Sequence, residues 1–257
     1  MTGVEQLQER VREVGYCTIE GVVPVGGVES VRDSVLTVVP DHRQPDSPPN
    51  VGAVSGLINY TQAFAPYLAE PRLLGLCKAL LGEHVRVSFT STIVNYPGNE
   101  RGGWHADWPF NQNNAGHVPA PYADALMHLT TIWMLTPFRA DNGATLIVPG
   151  SHRQSNNPTG DNGVDIYEPL PGELSVEGVA GSVMVMDSRM WHATSENISD
   201  GPRVGLAIRF APWWLNLDVL DPDSADGQRM ASEVGVGRAT ASPPMPKISR
   251  ETFDSFP

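Results

Sequence analysis

Val4, Leu7, Val11 and Val14 recur at helical spacing and Gly15 follows as a stop, so the chain is predicted to open with a helix. A second helix is predicted from about Val28 to Val38, ending before Pro40, and the stretch DHRQPDSPPN behind it is a loop dense in proline and turn formers. A third fits Pro71 to Leu81, with proline at an early position and Gly82 just past the end. From residue 85 the period changes. VRVSFTSTIVNY, ALMHLTTIWML, ATLIVPG, GSVMVMD and RVGLAIRFAPWW are short runs suited to strands, each bounded by Gly, Pro, Asn or Asp. Five or more strands after a helical start predict a β-sandwich or barrel with helices packed on one side. Two long insertions, residues 106 to 124 and 152 to 173, are of a length that usually serves function or moves.

Composition narrows the class. At 257 residues, all-β barrels and sandwiches are commonly one domain. A net charge of −12 with no long run of Lys or Arg argues against nucleic acid and anionic membrane surfaces, and fits a small neutral or cationic partner better. Cys17 and Cys77 lie far apart with no metal-type spacing, which suits a reducing compartment and gives neither a catalytic role. No window reaches the roughly 18 apolar residues of a membrane span, and the charged start is not of signal-peptide type, so a cytoplasmic protein is expected. Oligomeric state, monomer or homodimer, is left open.

The first candidate chemistry lies in GGWHADWPF, residues 102 to 110. Chance composition yields about 0.4 His-x-Asp pairs in such a chain, so the pair alone decides nothing. In an extended segment, however, His105 and Asp107 face the same way while Ala106 points elsewhere. One further histidine would complete two nitrogens and a carboxylate, the donor set of non-haem iron(II) oxygenases. His42 and His84 read as surface residues, His117 sits in the first insertion, and His128 lies in a predicted strand where a core histidine is the commoner outcome. His152 follows a strand and turn that a histidine more often holds by hydrogen bonding. His192 differs, closing GSVMVMDSRMWHAT, a hydrophobic strand that ends in one polar ring.

Eleven residues later Arg203 opens RVGLAIRF, in which Arg203, Gly205, Ala207 and Arg209 share one face and Val204, Leu206, Ile208 and Phe210 the other. The second is a core face. The first sets a guanidinium beside two minimal side chains, a space suited to gripping a carboxylate at two points, although a lone arginine is more often a salt-bridge partner at a sheet edge.

Together WHAD at 104 to 107, TIWML at 131 to 135, DNGATLIVPGSH at 141 to 152 and WHATSENISDGPR at 191 to 203 resemble the phytanoyl-CoA dioxygenase-like family of iron(II)- and 2-oxoglutarate-dependent oxygenases. The resemblance runs from about Val87 to Trp214. It implies a mainly β fold with flanking α, a double-stranded β-helix (jelly-roll, cupin-like) with the N-terminal helices packed on one sheet. Residues 1–257 would then be a single domain: a mostly helical part over 1–84, the jelly-roll core over 85–215 and a peripheral segment over 216–257. It also implies that His105, Asp107 and His192 bind iron(II), that Arg203 holds the distal carboxylate of 2-oxoglutarate with Thr194 beside it, and that Trp133 and, more loosely, Thr92 line the cosubstrate pocket. Halogenating relatives carry a small residue in place of the carboxylate ligand, so Asp107 disfavours that outcome.

The activity so implied is hydroxylation of an unactivated C–H bond in a small molecule, with dioxygen consumed and 2-oxoglutarate converted to succinate and CO2. No protein acid or base is needed beyond the metal ligands. Desaturation, cyclisation or epimerisation would use the same cofactors. Substrate contacts are expected from Trp104 and Trp108, from Asn95 and Tyr96, and from Phe110 and Tyr122 in the first insertion, although ordinary loop packing accounts for each aromatic as readily. Arg209 faces either an anionic substrate group or a buried ion pair. A coenzyme A thioester finds no basic cluster, so a natural-product intermediate or amino-acid-like compound fits better. From another class, a cupin-type metal-dependent isomerase or a binding protein would share the scaffold but have no use for Arg203.

Overall fold

The computed structural model describes residues 3–108, 120–160 and 163–215. Phe110, His117 and the segment 216–257 lie outside these. Three helices come first in the layer they form: α1 (Gly3–Val14), α2 (Val25–His42) and α3 (Pro71–Leu81). α1 and α3 keep the bounds expected of them. α2 begins three residues before Val28 and runs through Pro40, because a proline there forfeits one N–H bond in a last turn that closes two residues later, where the Arg43 N–H bonds the Val39 carbonyl. Val28, Val31, Val35 and Val39 form its buried stripe.

Among the described residues, nine strands make two antiparallel sheets: β1 (Tyr16–Ile19), β2 (Val51–Ser55), β3 (Val85–Asn95), β4 (Leu129–Met134), β5 (Thr145–Ile147), β6 (Leu174–Val176), β7 (Val183–Asp187), β8 (His192–Thr194) and β9 (Arg203–Pro212). The larger has the order β1-β7-β4-β9-β3-β2 and the smaller β6-β5-β8. The helices cover the outer face of the larger sheet, where Leu129, Trp133, Val183, Val185, Val204, Leu206, Ile208 and Phe210 meet Val11, Val35, Leu73 and Leu76. Its inner face meets the smaller sheet through Ile132, Met134, Ile147, Met184 and Met186. This is the double-stranded β-helix, two sheets closed into a flattened barrel with helices on one side.

Two expectations change. The first third is not all helix, since YCTI and VGAVS are edge strands of the larger sheet, pairing with β7 and β3. Runs of four and five residues are too short to show a period against the helical flanks. Nor does His192 close the strand of Val183–Asp187. It opens β8 in the other sheet, after a turn through Ser188, Arg189 and Met190. Among the described residues no helix is long and apolar enough to cross a membrane.

Candidate active site

His105 and His192 face each other across an isolated antiparallel bridge and exchange both backbone hydrogen bonds, His105 N–H to the His192 carbonyl at 3.0 Å and the reverse at 2.9 Å. Directly opposed residues project to the same side of a ladder, so the rings come together with centroids 4.2 Å apart. Each Nδ1 meets a backbone carbonyl at 3.0 Å, Gly103 for His105 and Met190 for His192. A carbonyl only accepts, so each Nδ1 donates a ring proton and Nε2 is the nitrogen each ring turns to the site. Burial pulls His192 down to about 4, and the neighbouring His105 adds to the effect.

Asp107 completes the group. Its Oδ1 is 3.9 Å from His105 Nε2 and its Oδ2 3.7 Å from His192 Nε2, and one ligand atom from each of the three residues lies within 4.8 Å of the others. The carboxylate accepts from Thr130 Oγ1 at 2.7 Å and pairs with Arg209 at 2.6 Å. Burial by itself raises its pKa, but Arg209, both histidines and the Thr130 hydroxyl outweigh that and hold it well below the usual carboxylate range. Two imidazole Nε2 atoms and one ionised carboxylate suit a divalent transition metal with positions left open.

Arg203 enters the same cavity, with Ser91, Ile132, Thr145, Thr194 and Gly205. It is 3% exposed, and among the described residues no carboxylate pairs with it. Its Nε donates to the Gly143 carbonyl at 2.7 Å and its Nη1 to Ile93 at 3.2 Å, while the guanidinium lies 4.6 Å from the Phe138 ring centre. Gly143 adopts a φ of +83°, and a Cβ there would come within 2.9 Å of the Asn95 amide. Burial pulls Arg203 down to about 9, still charged at neutral pH. A buried cation with no counter-ion is costly, and a small dianion is the natural complement.

A wider cleft of about 960 Å³ shares His105 and Thr194 with this cavity and is lined further by Gly102, Trp104, Thr159, Asp165, Ile166 and Tyr167. Of the expected contacts, Trp104 lies in this cleft wall and Arg209 in the cavity, and the others sit elsewhere. Thr92 and Trp133 alternate away from the cavity: Thr92 Oγ1 is spent on the Gly205 carbonyl and Trp133 packs in the helical layer, while Ser91, Ile93 and Ile132 face inward. Asn95 is fully buried, its amide given to Gly143, and Tyr96 packs on the helix-side core. Trp104 is fully buried and donates to the Glu168 carbonyl, which fastens the loop at 163–170 over the ligand strand. Trp108 binds the Ser188 carbonyl through its backbone, Tyr122 binds that of Ser155, and Arg209 is taken up by Asp107. The residues 158–160 and 163–167 in the cleft wall carried a signal, since they fall in the second long insertion. Thr130 and Ser188 carried none, being small hydroxyls among many.

The model of the family described as phytanoyl-CoA dioxygenase matches residues 11–205. The chain belongs to the phytanoyl-CoA dioxygenase family. Within curated proteins, dioxygenase af480 of Aspergillus fumigatus is 34% identical over 134 residues, which are 52% of this chain and 39% of that protein. Ectoine dioxygenase of Nocardia farcinica is 29% identical over 172 residues, 58% and 55% of the two chains. The chain thus matches less than two thirds of either relative's length. Among solved structures, the epimerase SnoN, in complex with Fe3+, alpha ketoglutarate and nogalamycin RO, superposes with a TM-score of 0.68 at 20% identity, covering 87% of this chain and 92% of SnoN. HygX from Streptomyces hygroscopicus, with nickel and 2-oxoglutarate bound, gives 0.65 at 20% identity, covering 86% and 92%. These two share the fold of this family member.

Proposed function

We propose that the chain is an iron(II)- and 2-oxoglutarate-dependent dioxygenase that hydroxylates an unactivated C–H bond of a small organic molecule, releasing succinate and CO2. The observation that carries this reading is Arg203, a buried cation with no acidic partner among the described residues, in one cavity with His105, Asp107 and His192. A metal-dependent isomerase on the same scaffold has no need of that charge. His105, Asp107 and His192 would hold the iron, Arg203 the far carboxylate of 2-oxoglutarate, and Thr194 would stand beside both the cavity and the cleft. The chemistry that bound iron and 2-oxoglutarate supply with dioxygen is oxidative decarboxylation coupled to oxidation of the substrate.

The protein's part is positioning and exclusion of water. The His105–His192 bridge fixes two ligands against each other, and the enclosed Arg203 presets one end of the cosubstrate. The cleft directs substrate to the ligand shared by both spaces. Its volume is at the upper end for small-molecule sites and exceeds what a simple amino acid fills. Its described lining carries the carboxylate Asp165 and no lysine or arginine, which suits a neutral or cationic, oxygen-rich natural product and not a coenzyme A thioester. Nogalamycin and hygromycin B, named with structural neighbours, are molecules of that kind. Epimerisation is the second reading, favoured by the fold shared with SnoN. Two free, buried cysteines suit a cytoplasmic setting.

The deciding experiment incubates the protein with iron(II), ascorbate, 2-oxoglutarate and a panel of glycosylated and polyketide natural products, following succinate and product mass. Substrate-dependent succinate with a gain of one oxygen is expected, and succinate without a mass change moves the reading to epimerisation. If wild-type protein and Arg203→Ala hold 2-oxoglutarate equally, the oxygenase reading is lost.

A further inference from the structure

Asp107 is the end of a buried chain of hydrogen bonds that leads away from the cavity. Thr130 Oγ1 lies 2.7 Å from Asp107 Oδ2, Ser188 Oγ 2.8 Å from Thr130 Oγ1, His128 Nδ1 2.8 Å from Ser188 Oγ, and Ser88 Oγ 3.0 Å from His128 Nε2. Each of the five residues is at most 7% exposed. They come from β3 (Ser88), the approach to β4 (His128), β4 itself (Thr130), the turn after β7 (Ser188) and the ligand segment (Asp107).

Proton counting gives every bond in this chain one direction. An ionised carboxylate only accepts, so Thr130 spends its single hydroxyl proton on Asp107. Ser188 must then donate to Thr130, which spends its own proton, and the His128 Nδ1–H must donate to Ser188. Burial pulls His128 down to about 3, so the ring is neutral, its one proton sits on Nδ1, and Nε2 accepts from Ser88. Every donor therefore points toward the metal-ligand carboxylate. Ser188 also holds that residue's backbone, its carbonyl accepting from the Asp107 N–H at 2.8 Å and the Trp108 N–H at 2.9 Å. The buried pair of Asp187 and Arg189, 2.7 Å apart, fixes the turn on either side of it.

We propose that His128 is a positioning residue for the metal site, fixing the Asp107 carboxylate through Ser188 and Thr130, which hold Oδ2 in place before a metal binds while Arg209 holds Oδ1. The histidine that resembles an ordinary core residue in sequence is the donor that sets the direction of the chain. Outer partners of this sort raise metal affinity by holding a ligand in its bound orientation, and their loss typically costs 10- to 100-fold. The proposal rests on the iron-site reading above.

The test titrates Co(II) into metal-free protein and reads affinity and visible absorption for wild type, His128→Leu, His128→Asn, Ser188→Ala and the Ser188→Ala/His128→Leu double variant. His128→Leu and Ser188→Ala are expected to weaken Co(II) by about 10- to 100-fold and to change its absorption. The asparagine amide places an N–H where Nδ1–H stood, so His128→Asn should stay within about threefold of wild type. Residues acting through one chain are not additive, so the double variant should bind no more weakly than the weaker single one. Wild-type affinity in Ser188→Ala, which deletes a single oxygen and serves if His128→Leu does not fold, would overturn the proposal. Additive losses would do the same, as would a His128→Asn protein as weak as His128→Leu. A wild-type protein that fails to bind Co(II) would instead overturn the iron-site reading itself.

Discussion

Arg203 holds a charge in a place that gives it two backbone carbonyls and an aromatic face but no acid among the described residues. The Gly143 carbonyl also accepts from the Asn95 amide at 3.0 Å, so removing the guanidinium leaves it paired. Arg203→Met should therefore leave the ligand-free protein as stable as wild type or more so, because an uncompensated buried charge disappears. In wild type, 2-oxoglutarate at a hundred times its Kd adds about 2.7 kcal/mol of stability, and that gain should vanish in the variant. Thermal melting with and without 2-oxoglutarate, with Ni(II) present, measures both. A variant that keeps the ligand-induced shift rules out Arg203 as the carboxylate anchor. This residue was legible because strand alternation set it beside Gly205 and Ala207. Thr92 and Trp133, which the resemblance implied, are one position out of phase with the cavity, and strand alternation does not correct them. Both faces of β3 and β4 are buried, so hydrophobicity does not mark the inward one, and β3 shifts register between Val87 and Phe89.

At the scale of elements, β9 does the most to shape the site. Its outward residues Val204, Leu206, Ile208 and Phe210 anchor it to the helical layer, while its inward face places Arg203 and Arg209 at opposite ends of one cavity with small residues between. A Cβ on Gly205 would lie 2.9 Å from Phe138 Cζ and 3.1 Å from Arg203 Nη1, so both must move by a few tenths of an ångström. Gly205→Ala should therefore weaken 2-oxoglutarate by about tenfold through misplacement of the guanidinium. Metal affinity should hold, since the atoms nearest that Cβ belong to Phe138, Arg203 and Trp133 and to none of the three ligands. Isothermal titration with Ni(II) and then 2-oxoglutarate separates the two, and a parallel loss of both would mean that the strand itself had been displaced. The strands β3, β4, β5, β7 and β9 were readable as apolar or alternating runs bounded by Gly, Pro, Asn or Asp. The strands β1, β2, β6 and β8 were not, because their three to five residues stand among helical or loop residues without such a run and their existence depends on a neighbour to pair with. For the same reason, the bridge that brings His105 against His192 is absent from any local pattern.

The molecule as a whole buries histidines in neutral form, and this sets its response to acid. Burial brings His128 from 6.5 to about 3 and His192 from 6.5 to about 4, and lowers His152 as well. The unfolded chain takes up these protons near pH 6.5 while the folded protein does not, so unfolding is favoured as pH falls below that value, and stability is fully present only above it. Between pH 7.5 and 5, each of the first two costs about 2 kcal/mol, or about 4 kcal/mol together. That is a large part of the 5–15 kcal/mol typical of a folded domain. The acids held low, Glu83, Asp107, Asp124 and Glu173, lose their contribution only further down, as pH falls through the carboxylate range, so this window belongs to the histidines. Metal-free protein should thus show a much lower urea midpoint at pH 5 than at pH 7.5. His128→Asn, which cannot take up a proton in either state, should recover about half of that pH-dependent loss even if it is less stable at pH 7.5. Equal pH dependence in the two proteins would mean that His128 is already protonated in the fold. The direction of the chain from Ser88 to Asp107 would then be reversed at its histidine end, with both ring nitrogens donating.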